Sequence, residues 1–259
     1  MLSTELKISA PEPHDDVVYP RVAPFILAHL ACLGILWTGV TPTTLLVCFA
    51  LYAIRMFAVT AGYHRYFSHR AFKTSRVVQF LLAVAAQTSA HRGIVWWAAK
   101  HRAHHKHSDT PQDPHSPRQR GFLFAHLSWI FSPQTSEADY SYVPDLVRYP
   151  ELMWLDKHKY LPAIVLGVVV WLVGGWTGLL VGFFASTVLL WHCTFAINSL
   201  AHVVGGKRYV TGDDSRNNWW LAVITLGEGL AGEQHIKRIA ALIGHADHQI
   251  AVHNVVNER

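Results

Sequence analysis

The chain has 259 residues, of which 51% are hydrophobic and only 15% are charged, against about 25% charged residues in an ordinary soluble domain. This shortage of charge favours a membrane protein over a soluble one. The three cysteines, Cys32, Cys48 and Cys193, lie in apolar stretches and form no CxxC pair, which argues against a disulfide framework and against a thiolate zinc site. Any bound metal would therefore be held by nitrogen or oxygen.

The first 21 residues are polar and lack the basic start and short apolar core of a cleaved signal peptide. We expect residues 1–21 to form a cytoplasmic tail. A membrane domain is predicted over residues 22–229, and an atypical C-terminal tail over residues 230–259.

Four apolar segments approach the length of about 20 residues that a helix needs to cross a bilayer. A short turn at Thr41-Pro42 joins the first two, and glycines near Gly174-Gly175 join the last two. Each pair is therefore predicted to form a helical hairpin. The predicted spans are residues 22–40, 43–60, 160–176 and 178–197.

Basic residues are concentrated in the middle of the chain. More than half of the Lys and Arg residues lie at 61–159, and the two predicted hairpin turns carry none. By the positive-inside rule, the middle segment and both termini are cytoplasmic. The protein is thus predicted to be a multi-pass membrane protein. Its formal charge of +5 is explained by topology, and no nucleic-acid partner is expected.

Histidines form two clusters just outside the spans: His64 with His69, and His101 with His104 and His105. Neutral imidazole is the commonest metal ligand near pH 7. At about 100° per residue, the last three side chains fall within an arc of about 100° and can face one point. On an α-helix His64 and His69 would diverge by about 140°, so they either flank a central cavity or touch two different metal ions.

Asn198 and His202 lie one helical turn apart at the end of the fourth span, on one face. Six imidazoles exceed what one tetrahedral ion needs, so two ions are plausible, and imidazole suits Zn, Cu, Fe and Ni alike. The sequence contains no HExxH and no GxSxG motif, which weakens a hydrolase reading. Single histidines are expected to be structural: His29 would hydrogen-bond a neighbouring helix, and His115 could lie behind the metal ligands.

Several stretches, in order, resemble the membrane-bound acyl-CoA desaturases of the stearoyl-CoA (Δ9) type. The resemblance covers roughly residues 20–229 and lies in the combination of motifs. The matching stretches are Thr60-Ala-Gly-Tyr-His64-Arg-Tyr-Phe-Ser-His69-Arg70, His101-Arg-Ala-His-His105 with Asp109-Thr110 and Asp113-Pro114-His115, Trp191-His192, Asn198-Ser-Leu-Ala-His202, Ser215-Arg-Asn-Asn218 and Gly227-Glu-Gly229.

The resemblance implies four transmembrane helices under a cytoplasmic helical cap that holds a di-iron centre. That centre would insert a cis double bond into a long-chain acyl-CoA with O2 and two electrons. The electrons would come from a separate cytochrome b5-, ferredoxin- or rubredoxin-like donor. Asn198 would act on the metal through a water. The iron ligands carried over by position are His64, His69, His101, His104, His105 and His202.

The sequence departs from the family after Gly229. The family has a third histidine box there, whereas this chain continues Leu230-Ala-Gly-Glu-Gln-His235. His235, His245 and His248 are candidates for rebuilding the box, and a frameshift or truncation is the alternative explanation. The activity of this chain is therefore an open question. A membrane di-iron lipid or alkane hydroxylase and an inactive metal-binding remnant remain as competing interpretations.

Overall fold

The computed structural model describes residues 19–207 and 213–228. Over these residues the chain is helical, apart from one isolated β-bridge between Gly206 and Asn217. The predicted all-α class is therefore confirmed for this part of the protein. Outside the described residues lie most of the predicted N-terminal tail, at 1–18, the C-terminal tail at 230–259, and the candidate ligands His235, His245 and His248.

The helices follow one another with short connections. Two segments are π-helical: Val59–Ser68 continues the third α-helix, and Gly178–Ala185 precedes the twelfth. The α-helices are α1 (Tyr19–Leu33), α2 (Ile35–Thr38), α3 (Pro42–Ala58), α4 (Arg76–Gln87), α5 (Ile94–His107), α6 (Pro117–Arg120), α7 (Phe122–His126), α8 (Pro133–Ser136), α9 (Pro144–Val147), α10 (Pro150–Lys157), α11 (Leu161–Thr177), α12 (Ser186–Val203) and α13 (Trp219–Ile224).

Helix α3 begins where the sequence supplies a complete set of capping groups. The Thr44 backbone N–H donates to Thr41 Oγ1 at 3.2 Å, and the Thr41 N–H donates to Thr44 Oγ1 at 2.9 Å. Pro42 occupies the first helical position, where its missing N–H costs no hydrogen bond. The helix that starts here continues through the first π-helical segment as far as Ser68.

A glycine breaks the helix between the two arms of the last hairpin. Gly175 adopts φ 61° and ψ −157°, a conformation that L side chains disfavour. The two arms then pack closely, because a Cβ on Gly167 would lie 3.3 Å from the Phe183 ring. The break lies where the sequence predicts the second hairpin turn.

Within the described residues, two helices are long and apolar enough to cross a membrane. They are Pro42–Ser68, with 27 residues and mean hydropathy 1.9, and Leu161–Val203, with 43 residues and mean hydropathy 2.3. Val22–Thr38 is a shorter apolar helix. The break at Gly175 divides Leu161–Val203 into two arms, which correspond to the third and fourth predicted segments. The first and second predicted segments correspond to Val22–Thr38 and to the start of Pro42–Ser68. The four crossings and the cytoplasmic cap remain predictions.

Helix α5 carries the second histidine cluster, and its start is fixed by a carboxylate. Asp156 Oδ1 accepts hydrogen bonds from the backbone N–H groups of Val95 and Trp96 at 2.8 and 2.9 Å. An anion at this end of a helix also interacts favourably with the helix dipole. Gly93 leaves room for this contact, since a Cβ there would lie 2.9 Å from Asp156 Cα.

A buried arginine joins α5 to the first π-helical segment. Arg102 donates to the carbonyl oxygens of Phe67 at 2.6 Å and Ser68 at 3.1 Å, and pairs with Asp145 at 2.6 Å. These bonds hold the two histidine-bearing elements against each other.

Candidate metal centre

The first histidine pair is brought together by the π-helical backbone. In a π-helix each N–H bonds the carbonyl five residues earlier, and His69 N donates to His64 O at 3.0 Å. The two rings therefore lie on one side of the segment, and their Nε2 atoms are 3.0 Å apart. The divergence of about 140° expected for an α-helix is wrong, because the backbone here has more residues per turn.

Four imidazole nitrogens converge on one point. The ligand atoms of His64, His69, His101 and His105 all lie within 4.8 Å of one another. His69 Nε2 is 3.0 Å from His101 Nε2, which is 2.9 Å from His105 Nε2. An imidazole nitrogen carries either one hydrogen or one lone pair, so His69 Nε2 cannot hydrogen-bond both His64 and His101. This convergence suits a shared cation.

The ring of His101 is fixed by stacking. The Trp97 ring stacks on the His101 ring, with centroids 4.8 Å apart and an angle of 12° between the ring planes. Tyr63 in turn stacks on Trp97, with centroids 5.1 Å apart. Burial and the neighbouring His105 and His64 imidazoles hold the pKa of His101 well below its usual range. The ring is therefore neutral near pH 7, and its lone pair is available for a metal.

His104 belongs to a second group, so the expectation that all three α5 histidines face one point is wrong. Its Nδ1 lies 2.9 Å from Asp113 Oδ1, and ligand atoms of His104, Asp113 and His115 lie within 4.8 Å of one another. Asp113 and His115, in the loop after α5, group with this side chain instead. His202 lies beside it, with ring centroids 5.7 Å apart.

Two aspartates of the loop after α5 orient these rings. Asp113 Oδ1 faces His104 Nδ1, and Asp109 Oδ2 faces His202 Nδ1 at 3.2 Å. Burial alone would raise the pKa of both carboxyls, but the histidines lower it more, so both are carboxylates. The imidazoles must then donate through Nδ1, which leaves Nε2 available to a metal. Such carboxylate–histidine pairs are typical behind metal ligands.

Glu228 stands behind the first group. Its Oε1 is 3.9 Å from His64 Nδ1, and the side chain is buried. Oε1 has no hydrogen-bond partner among the residues that the structure describes. Burial raises the pKa of Glu228 to about 8, against the opposing influence of Arg65, so the group is largely protonated near pH 7.

The first histidine group opens into an apolar cavity of about 600 Å³. His64, His101, His115 and Glu228 line one part of it, together with Asn198. Most of the remaining lining is aromatic or aliphatic, with side chains from α1, α5, α11, the second π-helical segment and α12, and Arg92 and Lys100 also contribute. A mostly apolar cavity of this size suits an apolar ligand.

The donor set fits the iron that the resemblance implies. Imidazole nitrogens with supporting carboxylates suit iron among the first-row metals, although they also suit zinc and copper. The structure brings together four of the predicted ligands, places His104 and His202 side by side next to them, and places Asn198 at the cavity wall. The ligand roles and the water-mediated role of Asn198 remain predictions.

A family model for fatty acid desaturases matches residues 41–235. The chain belongs to the fatty acid desaturase family. The match includes both histidine clusters, the loop with Asp109 and Asp113, and the segment that ends at Glu228. The desaturase family acts on lipid acyl groups, so the apolar cavity beside the histidines is in keeping with it.

Named relatives of this desaturase-family chain use different acyl carriers. It is 36% identical over 182 residues to an sn-2 palmitoyl-lipid 9-desaturase of Nostoc sp. (strain 36), covering 68% of this chain and 64% of the relative. It is 34% identical over 187 residues to an sn-1 stearoyl-lipid 9-desaturase of Anabaena variabilis, covering 72% and 68%. It is 34% identical over 225 residues to a probable acyl-CoA desaturase of Schizosaccharomyces pombe, covering 82% and 46%. The chain thus spans about half to two thirds of these relatives.

Sequence reasoning did not assign a role to Asp109, Asp113 or Glu228 in this desaturase-family chain. A signal was present for the two aspartates, because they follow His105 at short spacing in a loop. Glu228 lies in the family-matching stretch Gly227-Glu-Gly229, but its proximity to His64 depends on the tertiary fold and could not be read from that stretch. The prediction for His29 is confirmed: its Nε2 lies 3.0 Å from Nε2 of His192 on α12.

Proposed function

We propose that this chain is an iron-dependent desaturase that introduces a cis double bond into a long-chain fatty acyl group. Removing two hydrogens from the chain and reducing O2 to two waters consumes two electrons and two protons from outside. A separate electron donor of the cytochrome b5, ferredoxin or rubredoxin type is therefore part of the proposal. Iron bound by the histidines would supply the O2 activation that no side chain provides.

One observation carries this proposal: the group of four imidazoles lies at the wall of the apolar cavity. His64 and His101 belong to both. A hydrolase or a transporter would not need a long apolar cavity beside its metal ligands, whereas a desaturase must hold a saturated chain next to the oxidant. Positioning of this kind is how an enzyme selects one carbon pair among many similar ones.

The assignment of ligands follows the two groups. His64, His69, His101 and His105 would hold one ion. His104 and His202 would serve a second, with Asp113 and Asp109 fixing their tautomers. Asn198 would reach the metal through a water. Candidates for the remaining ligands, His235, His245 and His248, lie outside the described residues.

The protein around the centre orients the chain and keeps water out. Trp97 and Tyr63 form a stacked wall behind His101. Phe183 and Trp191 extend the apolar lining away from it. The carrier is either CoA, as the resemblance implies, or a membrane lipid, as in two of the relatives, and the same cavity serves the chain in both cases.

The topology proposed with this function has four membrane crossings in two hairpins. The histidine groups would then lie in a cap on the cytoplasmic side, close to the electron donor. The two long apolar helices and the shorter helix Val22–Thr38 support this arrangement, as does the concentration of Lys and Arg at 61–159.

Expression in a host that makes no unsaturated fatty acids, followed by gas chromatography of total lipids, tests the proposal. Wild type should produce new monounsaturated chains. His69→Ala should not, whereas His158→Ala, which alters an exposed histidine, should match wild type. Hydroxylated chains would instead support the hydroxylase interpretation. Iron binding without any modified chain would overturn the proposal in favour of an inactive remnant.

A further inference from the structure

The cavity beside the histidines has one wall that is also an outer surface of the molecule. Tyr160, Ile164, Val168 and Trp171 all line it. Their spacing of four, four and three residues places them on one face of α11, with Tyr160 at the N-cap position directly before the helix. Yet these side chains are 39%, 60%, 48% and 41% exposed, respectively. A residue that lines a cavity and is exposed to this degree stands at an opening.

Helix α1 forms the other side of the opening. Pro24, Phe25 and Ala28 contribute to the lining, and α1 and α11 both pack on the π-helical segment Gly178–Ala185. The floor between them is apolar, since Leu179 and Phe183 line it from that segment. The cavity is therefore a slot between α1 and α11 that opens sideways.

The chemistry of the slot matches the interior of a bilayer. Neither α1 nor α11 contributes a charged side chain to the described lining; the charged lining residues Arg92, Lys100 and Glu228 come from other parts of the chain. Tyr160 stands at one end of the slot, directly after Lys157 and Lys159. Tyrosine and flanking cations are typical of the membrane–water interface.

The depth of the slot matches one leaflet. The eleven residue steps from Tyr160 to Trp171 rise about 16 Å along a helix. Half of a hydrocarbon core about 30 Å thick is about 15 Å. When the headgroup of a lipid lies at the level of Tyr160, the acyl chain of that lipid therefore runs alongside the opening from one end of the opening to the other.

We propose that the slot between α1 and α11 admits the acyl chain of a membrane glycerolipid sideways from the bilayer. The inference rests on the proposed function, because it names the carrier of the acyl group that the histidine centre acts on. A chain on a soluble thioester can enter end first from water and needs no side opening. A chain esterified in the bilayer cannot leave the apolar phase without exposing its methylene groups to water, so it needs a lateral entrance.

Photolabelling tests the entrance without relying on iron or on turnover. The full chain is placed in nanodiscs that contain phosphatidylcholine with a diazirine near the end of its sn-2 chain, and labelled peptides are identified by mass spectrometry. Thr187 and Thr194 are the reporters, because both line the cavity and both are buried. Label in their peptides means that a lipid chain has entered.

Two neighbouring valines provide a matched pair of variants. Val168 lines the slot and is 48% exposed, whereas Val169 is 49% exposed but is not among the lining residues. Val168→Trp should fill the slot and lower the labelling of the reporter peptides at least about five-fold, since packed atoms exclude a chain. Val169→Trp should leave labelling unchanged. Ile164→Trp provides a second blocking variant if Val168→Trp does not fold, as judged by gel filtration.

The inference is overturned if label is confined to outward-facing residues such as Val165 and Leu172, or if Val168→Trp and Ile164→Trp both label like wild type. The proposed function fails separately. Reporter labelling without new double bonds supports the entrance and contradicts the activity. New double bonds with unaltered labelling in Val168→Trp support the activity and contradict the entrance.

Discussion

His69 Nε2 lies 3.0 Å from His64 Nε2, one π-helical turn away along the same segment. The contact exists because the backbone bonds residue 69 to residue 64 rather than to residue 65. π-Helical turns inside longer helices are rare and occur frequently at functional sites. Here the π-helical segment converts a spacing that would separate two ligands into one that unites them.

Removal of His69 should therefore disrupt the first group. Its nitrogen contacts both His64 and His101, so His69→Ala should weaken iron binding by more than the ~10–100-fold typical of losing a supporting partner alone. Iron per chain is measured by mass spectrometry after dialysis. His158→Ala is the control. Equal iron content in the two variants would refute the assignment.

Asp113 should matter although it is not itself assigned as a ligand. Asp113→Asn keeps the shape of the side chain but removes the charge that fixes the His104 tautomer. Iron affinity should fall by about 10–100-fold, with the helices intact. Glu137→Gln, which changes an exposed carboxylate in the same way, should have no effect. Wild-type affinity in Asp113→Asn, with circular dichroism unchanged, would show that Asp113 does not support the centre.

Two arginine–carboxylate pairs should differ sharply in their contribution to stability. Arg102 is 4% exposed and donates to the buried Phe67 and Ser68 carbonyl oxygens as well as to Asp145. Arg102→Met should lower the free energy of unfolding by about 3 kcal/mol, because these buried carbonyl oxygens lose their donor. Arg76 pairs with Glu151 on the surface, and Arg76→Met should change stability very little. Thermal unfolding in detergent measures both. A similar shift in the two variants would contradict the structure.

The Asp145 pair should also have a defined pH range. Burial alone would raise the pKa of Asp145, but hydrogen bonds and charge from Arg102 and Arg70 lower it more, so the net pKa is depressed. A depressed pKa means that the stabilisation is present above the ordinary Asp value of about 3.9 and is lost as pH falls through the lower folded-state value. The difference in unfolding midpoint between wild type and Asp145→Asn should be constant from about pH 7 to 5 and shrink below about pH 4. A difference that vanishes near neutral pH would contradict this.

The helical class and the identity of the histidine groups could be predicted from sequence because both depend on local patterns. Long apolar segments imply helices, and closely spaced imidazoles imply a metal. The prediction that His29 bonds a neighbouring helix succeeded for a related reason, since a polar group inside an apolar segment must find a partner.

The internal arrangement of the site could not be predicted, because it depends on backbone geometry and on distant contacts. The divergence expected for His64 and His69 assumed α-helical periodicity, and the π-helical segment invalidates that assumption. The pairing of His104 with Asp113 depends on the loop that follows the helix. Glu228 lies beside His64 although more than half of the chain's length separates the two residues in sequence.

The central claim is that the four converging imidazoles hold iron at the wall of an acyl cavity. The most direct measurement is the metal content and Mössbauer spectrum of the purified chain, produced in cells supplied with ⁵⁷Fe. The account predicts at least about one nitrogen-ligated non-haem iron per chain, lost on His69→Ala and retained on His158→Ala. A folded chain that carries no iron, or that carries zinc in the same site, would contradict it.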